Sequence, residues 1–167
     1  MPKGSITVKK PKPKTLAERV LVHMRTKHAI EFPSRPVNHK QEEYTPSLPP
    51  DITTVTNVQL GRLQSEFASY ADYVQGVLAL AEIDHLESVD VEKTEEAKTR
   101  LSLHEGTLQE KADEAHLDPV ATRRRQESLE AKARRTFLRN RLDQLERAMK
   151  VISREQSRRE TENARRY

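Results

Sequence analysis

Apolar residues recur in steps of three and four over two long stretches of the chain. From Leu60 the series Leu63, Phe67, Tyr70, Val74, Val77 and Ala81 alternates those steps, which is the spacing of a heptad seam along one face of a helix. Leu78, Leu80 and Ile83 broaden that face and predict more than one neighbour. The start of this helix is marked by Thr56 and Gln59 at capping-box spacing, with Val55 and Leu60 placed as a hydrophobic staple. A second series, Leu138, Leu142, Leu145, Met149 and Ile152, repeats the same steps and is extended upstream by Ala121 and Ala131. It belongs to a helix from Pro119 towards Asn163: Asp118 can cap its first turn, and proline at the first helical position loses no hydrogen bond.

Between the two seams the pattern thins. After Glu82 charge dominates, yet helix propensity stays high, so the helix is expected to continue as a solvated or subunit-bridging stretch. Ala97, Leu101, His104, Leu108, Ala112 and Ala115 form a weaker stripe. Gly106 interrupts it and costs about 1 kcal/mol relative to alanine inside a helix, which predicts a bend or short break. Two long helices joined by a short turn fold back as an antiparallel hairpin, so the fold class is all-α and coiled-coil-like. Such a hairpin has little to cover its second face. Self-association is therefore expected, through Leu60, Leu63, Phe67, Tyr70, Val74, Val77, Leu138, Leu142, Leu145, Met149 and Ile152.

Upstream of the seams, residues 1–55 read as a basic, proline-rich arm, and 56–167 as the hairpin and oligomerisation domain. The alternating lysines and prolines of residues 1–14 give an extended, polyproline-like backbone that orders on a partner. Within the arm Leu16, Val20, Leu21 and Met24 recur at helical spacing behind Thr15, a short amphipathic helix over 15–29. Pro33, Pro36, Pro46, Pro49 and Pro50 then break helix, and residues 30–54 read as a linker.

Composition removes most chemistry. In 167 residues there is no cysteine, hence no disulfide, thiolate metal site or thiol nucleophile. The six histidines, His23, His28, His39, His85, His104 and His116, lack the helical pairing of a zinc site. No phosphate loop or nucleophile motif is present; Ser65 lies in helix rather than at a strand-to-helix elbow. The expectation is a non-enzyme with no cofactor and no metal. No apolar run suits a membrane span or a secretory signal, so a soluble protein of the cytoplasm is expected.

Charge changes the picture more. Residues 1–50 hold ten Lys and Arg against four Asp and Glu, residues 82–118 four against twelve, and residues 119–167 fifteen against seven. Basic ends around an acidic middle can bind a polyanion or pair internally between neighbouring helices. The candidates for phosphate contact are Lys98 and Arg100 on the first long helix and Arg123, Arg124, Arg125, Lys132, Arg134, Arg135, Arg139 and Arg141 on the last. The competing reading pairs Lys98 with Glu95 and Arg100 with Glu96 inside one helix, worth a few tenths of a kcal/mol. Glu127, Glu130, Asp143, Glu146 and Glu155 can neutralise part of the arginine-rich helix in the same way. Aromatic interleaving is thin, with Tyr73 and Phe137 alone near this surface, so backbone contacts rather than base readout are expected.

The string "KTRLSLHEG", between a capped heptad helix and an arginine-rich helix after "LDP", resembles the phage recombination mediators of the UvsY family over residues 56–160. In that family a Lys-x-Arg-Leu box precedes a glycine-containing loop and a long C-terminal helix. The resemblance implies a small helical homo-oligomer that binds single-stranded DNA and helps load a RecA-like recombinase. It makes Lys98 and Arg100 the DNA-contacting pair, Leu101 the packing residue beside them and Gly106 the loop glycine. The arm has no counterpart in that pattern. From a different class, a structural or adaptor protein of a phage particle, a virion component or a small-terminase-like oligomer, would use the arm to dock on another phage protein. A further reading sends the helix over 15–29 to a host partner in transcription.

Overall fold

The computed structural model describes residues 15–29, 31–37, 43–103 and 106–165. The lysine- and proline-rich stretch 1–14 and His104 of the weaker stripe lie outside them. The described chain is all-α: α1 (Leu16–His28), α2 (Asn57–Ser102), α3 (Leu108–Leu117) and α4 (Pro119–Ala164), with a 3-10 turn over Ile52–Thr54. Among the described residues no strand forms, and an isolated antiparallel bridge joins Val37 to Glu43.

Each helix starts where a side chain satisfies its first free amides. Thr15, Thr56 and Thr107 accept from the backbone N–H three residues on, and Glu18, Gln59 and Glu110 accept from the capping residue's own N–H. Asp118 accepts from the amides of Val120 and Ala121, with Pro119 at the first helical position. α2 and α4 each run 46 residues, about 70 Å at 1.5 Å per residue. They lie antiparallel against one another, as ion pairs from Glu82 to Arg139 and from Glu96 to Arg125 fix by their order along the two helices.

The break expected at Gly106 is present: α2 ends at Ser102, Gly106 takes φ 101°, and Thr107 caps a new helix. Left-handed backbone at that point suits a residue without Cβ. The connection is therefore a short helix between two turns rather than one turn. The weaker stripe buries little. Ala115 is fully covered, while Ala97, Leu101 and Leu108 stand exposed.

The core is the α2–α4 seam. Leu60, Phe67, Tyr70, Ala71, Val74, Leu145 and Ile152 form one buried cluster, and Leu63, Leu138, Leu142 and Met149 pack against it. Leu60, Leu145 and Ile152 keep no more than 1% of their surface. The buried members of both series are thus covered within one hairpin, and their partly buried neighbours pack on the same seam. These are the side chains expected to mediate association between chains; here they pack against one another inside a single hairpin. Val77 is half-buried at a cleft it shares with Phe137 and Leu138.

The third contributor is a loop. Pro46 is buried, and Leu48, Ile52 and Val55 pack on the seam cluster, so the end of the stretch read as a linker belongs to the core. Its proline-fixed backbone reaches the seam without forming a ladder. Arg159 fastens it. Its guanidinium donates to the carbonyls of Val55 at 2.6 Å, Thr53 at 3.0 Å and Ile52 at 3.3 Å, and to Asn57 Oδ1 at 2.9 Å. Upstream, Phe32 and Pro33 cross α2 at Gly76, and α1 docks further along with its Leu16 N–H donating to Glu87 Oε2 at 2.9 Å.

Candidate nucleic-acid interface

A helix carrying Lys98 and Arg100 near its C-terminus is capped at Leu103, one turn later. α4 begins beyond the connection, and its first turns carry Arg123, Arg124 and Arg125. Folding back about the α3 connection brings the two groups to the same end of the hairpin. Glu96 stands between them. Its Oε1 accepts from Arg125 Nη2 at 2.9 Å, and its Oε2 lies 3.7 Å from Arg100 Nη2. His116 of α3 adds a third contact, its Nδ1 3.4 Å from Glu96 Oε1, and also meets Arg125. Glu92 Oε1 lies 3.6 Å from Arg125 Nε.

Other candidates are paired along the surface. Lys98 Nζ donates to Glu95 Oε1 at 2.7 Å, the intrahelical pairing that competes with a DNA role. Arg123 and Arg124 both reach Glu127, at 3.1 and 2.7 Å, and their hydrogen bonds hold its carboxyl below the usual range. Arg134 lies 3.8 Å from Asp84 and Arg139 2.8 Å from Glu82. Burial raises the Asp84 carboxyl, and Arg134 pulls against that shift. Arg141 leans over the Tyr70 ring, 5.9 Å from its centre, and donates to Gln144. Among the described residues Lys132 and Arg135 have no ion pair; Lys132 is exposed and Arg135 is half-buried.

The fold therefore divides these cations by position. Lys98, Arg100 and Arg123 to Arg125 gather at the α3 end, whereas Lys132, Arg134, Arg135 and Arg139 lie further along α4. Exposed ion pairs of this kind contribute at most about 1 kcal/mol each and are screened by salt. They can exchange a carboxylate for a phosphate at little cost. Three leucines stand open at the same end: Leu101 is 81% exposed, Leu108 90% and Leu117 81%.

Periodicity and charge counting do not single out Glu92, the contact made by His116, or Arg159. The first two still have a legible signal. An antiparallel register about Gly106 and Asp118 sets the acidic run of α2 opposite the arginines that open α4. Arg159 has none, because most of its partners are backbone carbonyls.

Among the described residues no cluster of His, Cys, Asp and Glu comes together as a metal would need, and no helix is long and apolar enough to cross a membrane. Comparison with protein-family models, curated proteins and solved structures gives no match.

Proposed function

We propose that this chain is a non-enzymatic, oligomeric mediator of the phage recombination type, holding single-stranded DNA through the basic side chains at the α3 end of its hairpin and assisting a RecA-like recombinase. The observation that carries this reading is the position of Glu96 between Arg100 of α2 and Arg125 of α4. It joins the Lys-x-Arg-Leu box to the arginine run, two groups far apart in sequence. The side chains of Lys98 and Arg100 are 64% and 47% exposed, so their single carboxylate partners leave them within reach of a phosphate. Open leucines at that end supply an apolar surface for association with further copies or with a recombinase.

The test is a titration of a single-stranded oligonucleotide at two salt concentrations. Wild-type protein binds with a steep salt slope, and Lys98→Ala with Arg100→Ala weakens binding and lowers the slope by about 0.7 for each phosphate no longer neutralised. Binding with no salt dependence, or none at low salt, refutes the reading.

Leu101, Leu108 and Leu117 also favour a second reading, a structural or adaptor protein of a phage particle that docks by this end. In that case Leu108→Ser abolishes assembly with the partner while the arginine variants leave it unchanged.

A further inference from the structure

Three helices send a nitrogen-bearing side chain to one carboxylate. Glu96 meets Arg100 from its own helix, His116 from α3 and Arg125 from α4. Its side chain is only 17% exposed, and Glu92, one turn earlier on the same face, reaches Arg125 as well. Carboxylate and phosphodiester present the same thing to a guanidinium: one negative charge spread over two acceptor oxygens, matched to its planar fork.

We propose that Glu96, supported by Glu92, is a masking carboxylate that occupies the guanidinium positions of Arg100 and Arg125, so that a single-stranded DNA phosphate binds there by displacing it. The inference rests on the DNA-binding reading above and adds the regulation of that site. Displacement is favourable because a phosphate taken by an arginine releases condensed counterions, which an internal carboxylate does not. Affinity is thereby held below what the clustered cations would give if unmasked, and weakly charged polyanions are excluded.

The experiment is fluorescence anisotropy of a labelled oligothymidylate with wild type, Glu96→Gln, Glu96→Asp and Glu114→Gln, across a salt series. Glu114 is exposed on α3 and has no ion pair among the described residues, so its variant removes one charge from the same end without freeing a guanidinium. Glu96→Asp keeps the charge but withdraws the carboxylate by one methylene, and it decides the matter should Glu96→Gln lose helix content. Both Glu96 variants are expected to bind severalfold more tightly than wild type at each salt concentration, with the slope of log affinity against log salt unchanged, because the same guanidiniums meet phosphate in every bound state. Glu114→Gln is expected to change affinity less. Wild type that binds while the Glu96 variants bind no better, or only as well as Glu114→Gln, overturns the masking role and leaves DNA binding standing. Failure of every protein to bind at low salt overturns the DNA-binding reading itself.

Discussion

Arg125 Nη2 lies 2.9 Å from Glu96 Oε1, across the interface between the last helix and the first long one. This contact ties three helices at one end of the hairpin, because Glu96 also meets His116 of α3. Both side chains are partly shielded, at 35% and 17% exposure, which places the pair between a surface bridge and a buried one. Arg125→Ala is expected to lower stability by about 1–2 kcal/mol in urea denaturation. Most of the loss should fall on α3, read as faster amide exchange over Leu108–Leu117.

The seam sets the global stability. Leu60 and Ile152 are fully buried in the cluster that α2, α4 and the loop before α2 build together. Ile152→Ala or Leu60→Ala should each cost about 2–5 kcal/mol. Phe137→Ala, at an exposed position of α4, should cost far less. A midpoint shift of equal size for Phe137→Ala and Ile152→Ala in denaturant would contradict this packing.

Arg158 and Arg159 donate to Glu155 and hold its carboxyl at about 2, against an ordinary value of 4.5. The folded state therefore binds fewer protons at this group than the unfolded state. Its contribution to stability is complete above about pH 4.5 and is lost as pH falls towards 2. Denaturation midpoints of wild type and Glu155→Gln should differ near neutral pH and draw together as pH falls towards 2. A gap that persists unchanged into strong acid would show that the hydrogen bonds from Arg158 and Arg159 do not depend on the charge.

At Gly76 an added Cβ would come within 2.9 Å of Phe32 Cζ and Pro33 Cγ. Alanine there favours the helix by about 1 kcal/mol but pushes the 31–37 loop off α2. Gly76→Ala should leave the hairpin as stable as wild type or slightly more so, while a glutamate-specific protease cleaves after Glu31 more quickly. Unchanged cleavage would mean that Phe32 turns aside without cost.

Local features of this fold are legible in the sequence, and long-range ones less so. Thr15, Thr56 and Asp118 announce their helices because a cap is a bond between near neighbours. The heptad steps mark Leu60 to Ala81 as a packed face, but periodicity does not say what covers it. α4 and the loop around Pro46 cover it, within one chain. Arg159 is invisible because backbone carbonyls leave no pattern in side chains. At the candidate site the two halves, the basic box and the arginine run, can be read separately. Their meeting through Glu96 depends on the register of two long helices, which is fixed jointly by many weak contacts rather than by any one residue.

If Lys98, Arg100 and Arg123 to Arg125 form one DNA-binding surface, a bound strand must lie against both long helices at once. Photo-crosslinking of a halogenated single-stranded oligonucleotide, with mass-spectrometric mapping of the attached peptides, is the decisive experiment. Crosslinks are expected on both the peptide around Lys98 and Arg100 and the peptides opening α4, and both sets should vanish together in Arg125→Ala with Arg100→Ala. Crosslinks confined to the far part of α4, around Arg147, Lys150 and Arg154, would refute a shared surface.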